Sequence, residues 1–219
     1  QAKTRFLRNM SHEIRTPLNC IQGFIEIIEN EKDRNRINQY IKIIKNESVK
    51  LMELINQLMD LSKIEAGKFQ INKTRFNILK TLESIHSTFS QSAKNKGLKY
   101  KTNILEDLPE FVIGDSLRLR QVIINLVGNA IKFTQKGEIS ISTSIQKETD
   151  REILFYFEIS DTGIGIPEEY QGILFDPFVQ LEDSMTRKFG GTGLGTSISK
   201  KLVNMMGGEI GLESQLGKG

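Results

Sequence analysis

The chain has 219 residues, 38% of them hydrophobic and 26% charged, and its 30 lysines and arginines against 27 aspartates and glutamates leave a formal charge of +3. At about 150 residues per domain that is one or two domains, with enough apolar material for a core, too balanced a charge for a disordered chain, and too small a cationic excess for a nucleic-acid or anionic-membrane binder. The single cysteine, Cys20, excludes an intrachain disulfide framework and any multi-cysteine zinc site, and fits a reducing compartment.

No run approaches the roughly 18 uninterrupted apolar residues of a bilayer span, and no signal peptide opens the chain. Starting at Gln1 and stopping in Gly217-Lys218-Gly219, it reads as a fragment of something longer.

Two helical patterns come first. Leu7, Ile14, Leu18, Ile21, Ile25 and Ile28 share one heptad seam on which only Ser11 is polar. Asn30 to Arg36 is a polar break. Ile37, Ile41, Ile44, Ser48, Leu51, Ile55 and Leu58 then alternate at spacings of 4 and 3, a coiled-coil-like seam. Met52, Leu54, Met59 and Leu61 add a second apolar stripe. One helical hairpin cannot bury two stripes. A dimeric four-helix bundle can, the other reading being packing against the rest of the same chain.

Ala66-Gly67-Lys68 closes the helical arm, with Gly67 as its C-cap. Beyond it the predicted elements are an extended Phe69–Phe76, a helix Ile78–Lys94, a strand Leu98–Ile104, a loop holding Pro109, and a helix Asp115–Phe133 with Asp115 as N-cap. Glu138–Gln146 and Ile153–Ser160 read as an antiparallel pair. Asp161–Gly195 is rich in glycine and polar residues, as functional lids and disordered stretches are. Thr196–Met206 is a helix closed by Gly207-Gly208, and Glu209–Ser214 a last strand. The fold class is α+β: a hairpin over residues 1–67 forming a dimeric four-helix bundle, then an α/β sandwich over residues 68–219 with helices on one face of a mixed sheet.

Four clusters carry chemistry. His12 lies off the apolar seam and faces water, where a neutral imidazole is a competent nucleophile near neutral pH. Glu13 can orient the ring or accept its proton, and Thr16 lies one turn on, on the same face. Pro17 weakens the helix here. A zinc helix would need histidine at position 16, so a metalloprotease is excluded. Taken alone, an exposed histidine is more often inert.

Arg118, Gln121, Asn125, Asn129 and Lys132 form one polar stripe on an otherwise apolar helix. Buried polar groups need partners. An Asn129 amide oxygen can ligate magnesium, which prefers hard oxygens, and Lys132 can meet phosphate, the competing reading being amides bonded to neighbouring backbone. Asp161, just past a strand end, can only accept hydrogen bonds and so suits the exocyclic amine of adenine. Gly163 and Gly165 allow a flat ring to approach the backbone, although Asp-x-Gly-x-Gly alone is equally an ordinary turn.

Gly190-Gly191-Thr192-Gly193-Leu194-Gly195 feeds a helix N-terminus, an arrangement that cradles phosphate. It is neither a Walker loop nor a dinucleotide fingerprint. Arg187 and Lys188 stand where they could reach a γ-phosphate. Phe175 and Phe178 are apolar anchors for this segment or simply core.

The order of these clusters resembles that of the sensor histidine kinases. Phe6-Leu7-Arg8-Asn9-Met10-Ser11-His12-Glu13-Ile14-Arg15-Thr16-Pro17-Leu18-Asn19 resembles their H box, Asn125-Leu126-Val127-Gly128-Asn129-Ala130-Ile131-Lys132-Phe133-Thr134 their N box, Asp161-Thr162-Gly163-Ile164-Gly165-Ile166-Pro167 their G1 box, Phe175-Asp176-Pro177-Phe178 their F box and Gly191-Thr192-Gly193-Leu194-Gly195 their G2 box.

The resemblance implies a dimerisation and histidine-phosphotransfer hairpin followed by an ATP-binding domain of the Bergerat type. In it His12 is the phospho-acceptor, Glu13 its acid/base partner, and Thr16 the position tied to dephosphorylating the partner. Asn129 binds magnesium with Asn125 and Lys132 supporting the phosphates, Asp161 holds adenine, and a lid from Phe175 to Gly195 closes over ATP. It further implies a homodimer, an aspartate on a response-regulator receiver domain as phosphoryl acceptor, an upstream sensor region, and a cytoplasmic portion of a membrane-anchored bacterial sensor kinase.

Two departures stand out. Position 196 is Thr where the family usually has Leu, which implies altered lid packing. The chain also stops before the family's last strand. Two competing readings are a related ATPase that phosphorylates no protein group, against which the H box argues, and a dimerisation scaffold that binds no nucleotide.

Overall fold

The computed structural model describes residues 2–104, 108–177, 179 and 193–219, with side chains from Met10 onward. The chain divides into two compact units, Gln1–Phe69 and Gln70–Gly219.

The first unit is two helices, α1 (Ala2–Asn30) and α2 (Arg34–Glu65). The break between them is shorter than the polar run Asn30 to Arg36 predicts. Asp33 explains this: its side chain accepts the Asn35 N–H at 2.8 Å, an N-cap that lets α2 begin inside the polar stretch. Pro17 lies within α1, and the helix runs through it. Phe24 and Tyr40 join the two helices, their ring centroids 5.2 Å apart.

Leu54 and Leu61 are buried, whereas Leu18, Ile25, Ile41, Met52 and Met59 stay exposed, the two methionines at 56% and 52%. The second predicted stripe on α2 thus divides, its two leucines buried and its two methionines exposed. At the end of α2, Gly67 takes φ +64°, its N–H donates to the Ile64 carbonyl at 3.0 Å, and the Lys68 N–H donates to that of Lys63 at 2.9 Å. This is a Schellman closure, for which a residue without Cβ is preferred.

The second unit contains β1 (Thr74–Asn77), α3 (Ile78–Asn95), β2 (Lys99–Ile104), β3 (Phe111–Gly114), α4 (Ser116–Phe133), β4 (Glu138–Glu148), β5 (Ile153–Asp161), α5 (Glu168–Gln171) and α6 (Gly195–Met205). β1 and β3 form a small antiparallel pair. β2, β4 and β5 form a mixed sheet in which β4 lies between a parallel β2 and an antiparallel β5. Ile139, Ile141 and Thr143 alternate along β4 toward the helices, and Ile139 and Ile141 join Ile78, Leu82 and Ile85 of α3 and Ile123, Val127, Ala130 and Ile131 of α4 in one core. The predicted helix layer on one face of a mixed sheet is therefore present.

Two expectations need correction. The run after Pro109, read as loop, contains β3, whose four residues are too few to show a convincing alternation. Glu209–Ser214 is not a strand. It is tied at its end by side chains instead: the Ser214 hydroxyl accepts the Ile166 N–H at 2.9 Å, and the Gln171 side-chain amide donates to the carbonyls of Ile166 and Ser214.

Candidate functional sites in the two units

In the first unit the candidate nucleophile is presented by α1. His12 is exposed, as its place off the apolar seam requires. One turn on, the Thr16 hydroxyl donates to the His12 carbonyl oxygen at 3.1 Å. The backbone acceptor holds this hydroxyl beside the imidazole-bearing turn, just before Pro17, where one helical N–H is missing. Glu13 is half-buried next to His12 in sequence.

The site of the second unit is built on α4, the end of β5 and the start of α6. Asp115 opens α4 by accepting the Arg118 N–H at 3.1 Å, and its second oxygen accepts the Asn72 N–H at 2.9 Å, so one carboxylate caps the helix and holds the strand approach. At the other end, Lys96 places its ammonium on the carbonyls of Ile131 and Lys132, a cation on the negative pole of the helix. The polar stripe of α4 then divides. Arg118 donates to the Gln121 side-chain oxygen at 2.7 Å. Asn125 donates from Nδ2 to the Ser199 hydroxyl of α6 at 3.0 Å. Asn129 is half-buried, and its side chain has no hydrogen-bond partner among the described residues. Lys132 carries its ammonium 4.7 Å from the Phe133 ring centroid.

Asp161 ends β5 opposite Ile139. Its Oδ1 accepts the Gly163 N–H at 2.8 Å and lies 3.4 Å from the hydroxyl of the fully buried Thr134, which donates to it. Oδ2 accepts no hydrogen bond among the described residues. The glycines that follow are required by the protein's own packing. A Cβ at Gly163 would stand 2.6 Å from Asp161 Oδ1 and 2.9 Å from the Phe133 carbonyl, and one at Gly165, with φ +67°, would stand 2.2 Å from the Gln215 carbonyl.

The last piece is the start of α6. Gly193 has φ +64°, Leu194 is fully buried, and among the described residues no side chain caps the helix. Its first-turn donors are the kind of group an anion satisfies. Thr196 Oγ1 donates to the Leu174 carbonyl at 3.0 Å, and the Lys200 ammonium lies 5.5 Å from the Phe175 ring centroid, so α6 is joined twice to the segment after α5. Of the predicted site residues, Asn125, Asn129, Lys132, Asp161, Gly163, Gly165, Gly193, Leu194 and Gly195 lie on these elements, whereas Arg187, Lys188, Gly191 and Thr192, with Phe178, lie outside the described residues. Ser199, Thr134 and Lys96 were not singled out from the sequence. Only Lys96, a lysine before a helix-terminating glycine, carried a hint.

Comparison with known proteins gives matches over both units. Residues 2–67 match the family of the His Kinase A (phospho-acceptor) domain, and residues 114–219 match the histidine kinase-, DNA gyrase B- and HSP90-like ATPases. The signal transduction histidine-protein kinase BarA of Escherichia coli (strain K12) is 43% identical over 217 residues, which are 99% of this chain and 24% of BarA. Among solved structures, the histidine kinase AdeS of Acinetobacter baumannii aligns with a TM-score of 0.70 at 26% identity over 94% of this chain and 93% of its own. Full-length ShkA in complex with AMPPNP aligns at 0.69 and 28% over 97% of this chain and 43% of its own. The histidine kinase ThkA in complex with the response regulator TrrA aligns at 0.57 and 25% over 93% of this chain and 55% of its own. The chain spans about a quarter of the length of the curated relative BarA.

Proposed function

Since this chain belongs to the histidine kinases of two-component signalling, with a phospho-acceptor hairpin and a gyrase-B- and HSP90-like ATPase domain, we propose that it phosphorylates His12 from ATP and passes the phosphoryl group to an aspartate of a response-regulator receiver domain. An imidazole nitrogen of His12 forms the new bond to the γ-phosphorus while the bond to the ADP oxygen breaks. Glu13 orients the ring or takes its proton, and positioning with charge neutralisation supplies most of the rate.

The single observation that carries the nucleotide half is the Asp161 carboxylate, one oxygen fixed by Gly163 and Thr134 and the other without a hydrogen bond among the described residues. A carboxylate held in this way accepts from an adenine amine and rejects a carbonyl at the same place. The start of α6, which no side chain caps among the described residues, supports phosphate binding there. The Asn129 amide, without a partner among the described residues, fits a magnesium ion, which would offset the charge of the phosphates. Lys132, Arg187, Lys188 and the glycine loop Gly191-Thr192-Gly193-Leu194-Gly195 complete the proposed nucleotide site.

The exposed Leu18, Ile25, Ile41, Met52 and Met59 fit a second copy of the hairpin, giving a four-helix homodimer. ThkA bound to TrrA supports a receiver domain as the partner, and the Thr16 hydroxyl beside His12 supports dephosphorylation of that partner on the same face. Among the described residues no helix is long and apolar enough to cross a membrane. We place the chain in the cytoplasmic portion of a membrane-anchored bacterial sensor kinase, downstream of its sensor region.

The test is incubation with γ-labelled ATP. A protein label that acid removes, and that His12→Ala lacks, is the expected result. ATP turnover with no protein label would instead identify an ATPase that phosphorylates no protein group, and absence of magnesium-dependent ATP binding would leave only a dimerisation scaffold.

A further inference from the structure

Asn125 and Asn129 stand one helical turn apart on α4, on the same stripe, yet their surroundings differ. Asn125 Nδ2 donates to the Ser199 hydroxyl at 3.0 Å, and Ser199 is almost wholly buried in α6. The rest of the amide lies against the first residue of that helix. A Cβ built on Gly195 would fall 2.1 Å from Asn125 Oδ1, 2.9 Å from its Cγ and 3.2 Å from its Nδ2. The Asn125 amide therefore packs against both Gly195 and Ser199, four residues apart on α6 and so on one face. Gly195 has no positive φ, so the backbone accepts other residues, and the three nearest atoms that a Cβ would meet all belong to Asn125. An amide that spends a donor on a buried hydroxyl and is packed against a helix backbone has little freedom to follow a ligand.

We propose that Asn125 is a positioning residue: it seats the N-terminus of α6 on α4 through Gly195 and Ser199, and leaves Asn129 as the amide of the pair that faces the magnesium-bound phosphates. This rests on the nucleotide-binding reading above and divides the labour within it. The α6 donors proposed to meet phosphate begin at Gly195, so a displacement there alters affinity without any ligand contact being removed. The role is distinct from that of a phosphate ligand because a helix can be reseated by a compensating change, whereas a lost ligand cannot.

The experiment is a double-mutant cycle on ATP binding with and without magnesium, read by titration calorimetry on the whole chain, with circular dichroism to show that each variant folds. Gly195→Ala should weaken ATP binding by at least about tenfold, because its methyl group overlaps Asn125. Asn125→Ala, which removes the overlapping atoms, should cost less, and Gly195→Ala combined with Asn125→Ala should bind no worse than Asn125→Ala alone. Asn125→Ala should keep the magnesium dependence of binding, and Asn129→Ala should lose it. Ser199→Ala should resemble Asn125→Ala.

Losses that add in the double variant, or magnesium dependence that vanishes with Asn125→Ala, would overturn the proposal and make Asn125 a direct ligand. If Gly195→Ala fails to fold, Ser199→Ala and the magnesium arm still decide. An unmodified chain that binds no ATP would refute the proposed function itself, a separate outcome.

Discussion

The hydroxyl of Thr196 donates to the carbonyl oxygen of Leu174 at 3.0 Å, joining two residues that stand 22 apart in the chain. The residue that departs from the family's usual leucine thus contributes a hydrogen bond that leucine could not make. Thr196→Val keeps the shape and removes the donor. A buried or half-buried bond of this kind contributes about 1 kcal/mol, so the melting temperature of the second unit should fall by about 2–4 °C. Thr196→Ser should melt as the parent does. Scanning calorimetry of the three proteins checks this, and an unchanged melting temperature for Thr196→Val would mean the bond is not made in solution.

Two glycines make an opposed pair. At Gly163 a methyl group would meet Asp161 Oδ1 at 2.6 Å and the Phe133 carbonyl at 2.9 Å, whereas at Gly128, inside α4, it would meet nothing within 4 Å. Gly163→Ala should destabilise the unit by about 1–3 kcal/mol through overpacking and weaken ATP binding, because the displaced carboxylate is the proposed adenine acceptor. Gly128→Ala should stabilise it by about 0.5–1 kcal/mol through helix propensity and a less disordered unfolded chain. Denaturant melts of both variants give the sign directly.

Burial pushes the Tyr100 phenol up to about 12, and its hydroxyl has no hydrogen-bond partner among the described residues, with the His86 ring 5.3 Å away between centroids. Below pH 10 the folded and unfolded chains both carry the neutral phenol, so this group adds no pH dependence. Between pH 10 and about 12 the unfolded chain gives up the proton while the folded chain keeps it, so stability falls as pH rises through that window. Tyr100→Phe should be close to neutral at pH 7, since it removes an unbonded hydroxyl, and should flatten the alkaline decline. Urea midpoints of the two proteins from pH 7 to 12 test this, and parallel curves would show that Tyr100 is not the group responsible.

Met52 and Met59 lie seven residues apart on α2 and are both more than half exposed. Changing both to Asp places two charges in the proposed hairpin–hairpin contact, where each would be desolvated. Self-association measured by light scattering should weaken by at least about a hundredfold. The far-ultraviolet helical signal should persist, because neither side chain belongs to the buried set that includes Leu54 and Leu61.

What the sequence made legible was local or periodic. The hairpin, Asp115 as the cap of α4, the β4–β5 pair and the glycine that closes α6 each follow from residues within one turn or one strand of each other. β3 escaped because four residues leave too little pattern. Glu209–Ser214 alternates like a strand, yet no ladder forms there, since pairing depends on a neighbouring edge and not on the segment itself.

The site divides in the same way. Asp161 and the polar stripe of α4 were visible. That Asn125 answers to Ser199, or that Gly165 is small because Gln215 passes by, depends on residues brought together across more than forty positions. Spacing marked those residues as unusual. It could not say whether a ligand or the protein itself occupied the space beside them.

The parallel pairing of β2 with β4 has a kinetic consequence. Lys99 lies beside Glu138 and Ile104 beside Thr143, with β3 and the whole of α4 in between. In the first unit only residues 31–33 separate the two helices. Closing a long crossover loop before its contacts form is entropically slow, while a helical hairpin assembles from near neighbours. During synthesis the hairpin emerges first and can zip up early. The sheet must wait for β4 to leave the ribosome, and its half-built edges are the interval in which this chain is most open to misassembly.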